Sequence, residues 1–245
     1  MEALLASSQV DLDTLPPNLR FGMDPTGSFV LAKREAQVMA LGSSYSPAGV
    51  KLIQVSFGSS AEWLVPESVM LSAQFDNLDT ANAAWPADPD AAVLFERVDI
   101  RLGSVLVESI TEYARVNALF TRLTMDETKR RNMADLGFGT QVSATPPGWG
   151  AAQNHDAATI PAKAGGSGPK RIPWKISLSG LLSQHRWIPL YALGGGSGLT
   201  IQCYLAPVAD SLIAAVGTTS YSQLYQLTDV KALCSMMLLS DELQD

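Results

Sequence analysis

The chain is short of charge. Only 17% of its 245 residues are Asp, Glu, Lys or Arg, against roughly 25% in an ordinary soluble domain. That excludes a disordered chain of high charge and low hydrophobicity, and it excludes a coiled coil rich in Glu, Lys and Arg. Basic charge is scarcer than acidic: 17 Lys and Arg against 24 Asp and Glu leave a net charge of −7. A surface of that sign argues against direct contact with nucleic acid, which calls for a basic stripe. The basic run Lys129-Arg130-Arg131 reads as the solvated face of a helix.

Histidine is almost missing. His155 lies in a Gly/Pro/Ser-rich stretch and His185 in a turn, so the two do not gather into the His and carboxylate cluster that a metal inside a β-barrel needs. Cysteine is equally sparse. Cys203 and Cys234 each sit in an alternating apolar run, which suits buried free thiols. A disulfide is not implied by two cysteines in a chain this long, and a nucleophilic Cys203 would need one of the two histidines as its base. No apolar run approaches the roughly 20 residues that span a bilayer. The opening Met1-Glu2-Ala3-Leu4-Leu5-Ala6 is too short and too acidic to read as a signal peptide, and Asn-x-Ser/Thr does not occur. Synthesis in the cytosol is the expectation.

What is present is period-2 patterning. Ile53, Val55 and Phe57 share one face of the run 51–57, and Val69 to Phe75 alternates in the same way. Val93 to Leu102 is a strand whose phase shifts between Phe95 and Val98, which predicts a bulge or a strand start at Arg97. Gly103-Ser104 then suits a two-residue hairpin link to Val105-Leu106-Val107. Further strands are expected at Ser28–Ala32, from Ile172 through Trp174, Ile176 and Leu178, and at Trp187–Leu193. Leu199 to Leu205, Leu224–Thr228 and Val230–Leu239 complete the set. Lys33–Leu41 reads as a brief helix or an extended link, and Pro207–Ile213 as a loop with some helical character.

The period changes once. Ile110, Tyr113, Asn117, Phe120 and Leu123 recur at three and four, an amphipathic helix. Thr124-Met125-Asp126-Glu127 has the capping-box pattern of a second helix, which Gly137 would stop. The fold class is therefore all-β: an antiparallel jelly-roll sandwich of about eight strands, with one or two helices in a single connection over 110–136. The domain reading is an irregular arm over 1–27, punctuated by Pro16-Pro17, and one jelly-roll domain over 28–245. That domain is expected to carry an exposed, mobile Gly/Pro/Ser-rich insertion at 137–170.

No residues have the spacing of an active site, so the expectation is a non-enzyme with no catalytic, cofactor or metal-binding residues. Gly194-Gly195-Gly196-Ser197-Gly198 lacks the Lys-Ser/Thr of a phosphate loop and reads as a hairpin link. Gly137-Phe138-Gly139 lacks the third glycine of a dinucleotide fingerprint. Asp88 and Asp90 read as solvated loop acids, not a calcium site. Glu96 and Glu108 are placed to face each other across a hairpin, without the cleft a glycosidase needs. Trp174 and Trp187 adjoin strands and fit core packing. Trp85 and Trp149 fall in loops. Loop tryptophans support an alternative reading as a lectin-like carbohydrate-binding β-sandwich module.

Two blocks carry a family resemblance. The first runs from Phe95 through Gly103-Ser104 and Val105-Leu106-Val107 to Tyr113 and the helix that follows. The second runs from Ile172-Pro173-Trp174 through Trp187-Ile188-Pro189-Leu190 to Leu199-Thr200-Ile201-Gln202. Their order resembles the N-terminal jelly roll of double jelly-roll major capsid proteins of DNA viruses and virus-like transposons. In that family a strand, a Gly turn and a second strand lead into a helix beneath the barrel, followed by a long insertion and an Ile-Pro-Leu strand. The resemblance covers Val50 to Leu239 and rests mainly on Gly103 and Ile188-Pro189-Leu190. It implies a structural protein of the virion shell that self-assembles through lateral contacts. Its partners would be copies of itself, as a trimer or higher assembly, and other capsid proteins. A double roll has two barrels and these residues supply one.

Overall fold

The computed structural model describes residues 30–58, 60–124, 137–139, 159–165, 168–193, 198–214 and 220–239. Among them are β1 (Val30–Met39), β2 (Ser44–Tyr45), β3 (Leu52–Phe57), β4 (Trp63–Leu64), β5 (Met70–Asn77), β6 (Phe95–Leu102) and β7 (Val105–Thr111). Helix α1 (Tyr113–Thr124), β8 (Lys170–Trp174), β9 (Ile188–Pro189), β10 (Leu199–Leu205), α2 (Val208–Ser211) and β11 (Tyr225–Leu239) follow.

The strands form two antiparallel sheets. One is ordered β3-β10-β6-β7; the other runs β8-β5-β11, with β1 and β2 along the far edge of β11. Strands β4 and β9 extend this second sheet beyond β5. The eight longer strands thus read β1-β11-β5-β8 over β3-β10-β6-β7, the strand order of a jelly roll. Period-2 alternation decides which side chains meet between the layers. Ile53, Val55 and Phe57 of β3, Leu71, Ala73 and Phe75 of β5, and Leu199, Ile201, Cys203 and Leu205 of β10 are all buried.

The core is centred on aromatic rings. Trp174 packs against Phe95 with centroids 5.1 Å apart. Phe75 stacks on Tyr225 at 5.0 Å and meets the edge of Phe138 at 5.2 Å.

Several expectations change in three dimensions. The strand expected from Val93 begins at Phe95, because Ala91–Leu94 form a 3-10 helix whose first turn is capped by Asp90 Oδ1 accepting from the Ala92 N–H. Of the bulge and the strand start at Arg97, the bulge is what forms, at Glu96: Tyr204 pairs Arg97, but Leu205 pairs Phe95. Residues 33–39 are strand, paired from Met39–Lys231 to Val30–Leu239. The two strands expected at the C-terminal end are one, β11, with a register shift between Thr228 and Lys231. Asp229, at φ 48°, takes up the irregularity. Of Trp187–Leu193 only Ile188–Pro189 pair, with β4, before a 3-10 turn at Leu190–Ala192.

The helix also differs. Ile110 belongs to β7, and Glu112 at φ 52° makes the corner before α1. Thr124, expected to open a second helix, lies in the last turn of α1 and donates its hydroxyl to the Phe120 carbonyl at 2.7 Å. The remainder of that expected helix, 125–136, is outside the described residues, as is the arm over 1–27. The segment 137–170 is anchored at its described ends: Phe138 and Ile160 are buried, and Ile160 bridges Ala84. Gly194–Gly198 is not a hairpin link. It leads from β9 in one sheet to β10 in the other, and its residues 194–197 are outside the described residues.

Candidate assembly surfaces

The buried surfaces account for most residues with chemical potential. Cys203 and Cys234 are free and buried, and burial pushes their thiols up to about 12 and about 11. Both are therefore held as inert thiols. His185 is exposed, with Nδ1 2.8 Å from Glu67 Oε2; His155 is outside the described residues, as are Lys129-Arg130-Arg131 and Trp149. Among the described residues no group of three or more His, Cys, Asp and Glu is arranged to hold a metal ion.

One of the two acidic pairs is structural. Asp88 and Asp90 organise the turn into the 3-10 helix, with Asp88 Oδ1 accepting from the Asp90 N–H at 3.1 Å. Glu96 and Glu108 do not face each other: Glu108 pairs Ile100, while Glu96 is the exposed bulge residue. Glu108 fastens the loop after β8. One carboxylate oxygen accepts from Ser179 Oγ at 2.5 Å and the other from the Leu181 N–H at 2.7 Å. No sequence signal marked Glu108 for this, since its partners lie some seventy residues away on a different element. Glu108→Ala is expected to cost about 2 kcal/mol in urea denaturation, and Glu108→Gln, which keeps an acceptor, about half of that.

The tryptophans divide differently from expectation. Trp174 is a core residue. Trp63, Trp85 and Trp187 are half-buried. Trp63 lies across β4–β9 with Tyr191 at its edge, 5.8 Å between centroids. The Trp85 carbonyl accepts from the Ile213 N–H at 2.9 Å, which ties its loop to α2.

The outer face of the smaller sheet is a connected polar surface. Arg97 lies 4.1 Å over the Tyr204 ring and 3.0 Å from Asp99. Ser109 donates to Asp99 at 2.7 Å, and Arg101 Nε donates to Gln202 at 3.2 Å. These partners sit on adjacent strands at opposed positions, Tyr204 with Arg97 and Asp99 with Ser109, where cross-strand side chains meet.

The exposed surfaces are apolar in an unexpected place. Helix α1 buries only part of the stripe that marks it as amphipathic. Its buried residues are Tyr113 and Asn117, while Leu119 (57%), Phe120 (51%) and Leu123 (75%) face outward. Strand β7, at the edge of its sheet, exposes Val105, Leu106 and Val107 in succession. Strand β1, at the edge of the other sheet, exposes Leu31 and Met39. Exposed apolar groups along two sheet edges and one helix are liabilities on an isolated barrel and contact surfaces in an assembly.

No protein-family model and no curated protein sequence matches the chain. Solved structures do. The Faustovirus major capsid protein is similar with a TM-score of 0.53 at 9% identity, over 95% of this chain and 58% of that one. The structure of the Sputnik virophage determined by cryo-EM is similar with a TM-score of 0.51 at 10% identity, over 93% of this chain and 52% of that one. The chain spans about half the length of the solved structures it matches. The likeness establishes the fold: one jelly roll, similar to about half of the Faustovirus major capsid protein, in keeping with the family resemblance.

Proposed function

We propose that this chain is a structural subunit of a virion shell, a capsid or capsid-like protein that joins copies of itself through lateral contacts. The observation that carries the reading is the outward stripe Leu119, Phe120 and Leu123 on a barrel whose fold is that of viral capsid proteins. A shell subunit needs a rigid body, apolar lateral contacts and no reaction centre. The aromatic core, the apolar sheet edges and the inert cysteines meet those needs. The domain reading that goes with it is a single barrel over 28–245, with 1–27 as an arm. Its partners are further copies, as a trimer or larger ring, together with other shell proteins, and its place is the virion after synthesis in the host cytoplasm. The carbohydrate-binding alternative has no support from the described tryptophans, which are buried or half-buried, nor from the structural neighbours.

Light scattering behind size-exclusion chromatography tests this reading. The wild-type chain is expected to elute as a trimer or larger species at high protein concentration. The triple variant Leu119→Ser, Phe120→Ser, Leu123→Ser is expected to elute as a monomer, with stability within about 0.5 kcal/mol of wild type because these residues are exposed. A wild-type monomer at every concentration, with no particles in electron microscopy, overturns the proposal.

A further inference from the structure

Helix α1 buries little of itself. Of its 12 residues only Tyr113 and Asn117 are buried. It rests against the 3-10 turn at Ala91–Leu94 and against β6. Its buried polar anchor is Asn117, whose Nδ2 donates to Asp90 Oδ2 at 2.8 Å and whose Oδ1 accepts from Ser177 Oγ at 2.9 Å. Ser177 belongs to the loop that leaves β8, and that loop is held in turn by Glu108 of β7. Ser179 Oγ and the Leu181 N–H donate to the two carboxylate oxygens, at 2.5 Å and 2.7 Å.

Residues 177–183 are bonded among themselves as well. Ser179 Oγ accepts from the Leu182 N–H at 3.0 Å, and the Ser179 carbonyl accepts from the Ser183 N–H at 3.1 Å. Ser183 Oγ closes the turn by donating to the Ser177 carbonyl at 3.2 Å. Leu182 is the apolar peg of this turn, buried in the barrel. An unbroken series of hydrogen bonds therefore runs from an edge strand, through a compact turn, to the middle of the helix.

We propose that the 177–183 turn is a clasp that makes α1 and its own seat on Glu108 a single opening unit, so that Glu108, whose bonds go to the turn, sets how firmly the helix is docked. The physical reason is the cost of polar groups left without partners. If the turn lifts alone, Asn117 loses Ser177 while the helix still shields it. If the helix lifts alone, Ser177 loses Asn117. Opening both together lets water reach all of these groups at once. A unit held by polar contacts and little apolar burial also opens before an aromatic core does. Val105, Leu106 and Val107 lie on the strand that carries Glu108, and Leu119, Phe120 and Leu123 lie on the helix. A neighbouring copy that steadies one of these exposed surfaces thus steadies the other, and contacts at the two form cooperatively. That last step rests on the shell reading, whereas the clasp itself does not.

Amide hydrogen exchange in low urea tests the clasp. In the wild-type chain the amides of 117–124 and those of Leu181, Leu182 and Ser183 are expected to share one opening free energy and one urea dependence, both below those of Leu199–Leu205 in β10. Glu108→Ala is expected to speed exchange by about tenfold or more in both groups alike. Ser179→Ala, which removes one donor to Glu108, is expected to act in the same sense on both. Asn117→Ala, on the helix, is expected to speed Leu181, Leu182 and Ser183 in return. Separate urea dependences for helix and turn in the wild-type chain overturn the clasp, and that measurement needs no variant to fold. So does a helix that opens only together with β10, or a helix unchanged in Glu108→Ala while the turn exchanges faster. A chain that assembles but shows uncoupled exchange sinks the clasp alone; a chain that stays monomeric but shows coupled exchange sinks the shell reading alone.

Discussion

Gly198→Ala is expected to destabilise the barrel by about 4 kcal/mol or more, in the range where a substitution of one atom unfolds a marginal domain. Gly198 has φ +56°, a left-handed conformation that costs a residue with a Cβ about 1–2 kcal/mol. The rest of the loss, and most of it, is steric. A Cβ there would stand 1.9 Å from the Phe57 carbonyl oxygen and 3.0 Å from its carbon, and both are backbone atoms that cannot rotate away. The Gly198 carbonyl also accepts from the Gly103 N–H at 2.7 Å. This one residue therefore holds the end of β3, the β6–β7 turn and the start of β10 together. Moving it breaks the register in which Leu199 pairs with both Phe57 and Leu102. Urea denaturation followed by tryptophan fluorescence measures the loss. A shift under about 1 kcal/mol would mean that the strand ends can part without cost, and the steric account would fail.

Phe138→Ala comes second, with an expected loss of about 3–5 kcal/mol. Phe138 is fully buried and meets Phe75 edge-on. It is held in place by its backbone as much as by its ring. The Gly137 N–H donates to the Pro173 carbonyl at 2.6 Å and the Phe138 N–H to the Pro89 carbonyl at 2.8 Å. Both flanking glycines have positive φ, and a Cβ on Gly137 would lie 2.4 Å from the Ala91 nitrogen. The backbone cannot settle into the space a lost ring would leave, so the cost of the cavity should be close to its maximum. Phe138→Leu, which refills most of that volume, is expected to lose under about 1.5 kcal/mol. Equal losses in the two variants would show that the backbone anchor matters and the ring does not.

The same two positions show how far the chain can be read in one dimension. Gly137-Phe138-Gly139 has no alternation and no helical period, so it resembles loop, and nothing local reveals that Phe75 waits for it across the barrel. Gly198 is one of four glycines in the run 194–198, and only the approach of Phe57, far away in sequence, makes it indispensable. Glu108 and Asp90 are of the same kind: their roles depend on Ser179 and Asn117, residues on other elements.

The succession of strands along the chain, the Gly103-Ser104 hairpin, the irregularity between Phe95 and Val98 and the inward cysteines were legible because each is a local pattern. A period of two repeats within a few residues, and a phase slip shows as a broken alternation. The direction of α1 was not legible. A stripe at helical spacing states that a helix has two faces, but which one meets the barrel depends on what the barrel offers. Here it offers a carboxylate and a serine, which take Asn117, and the apolar face is left outward. Long-range pairing, such as β1 closing onto the last strand of the chain, also depends on contacts that no short window contains. Local alternation makes most of these segments ribbons with a dry side; which dry sides meet, and which apolar groups stay bare, is set by the joint packing of all of them.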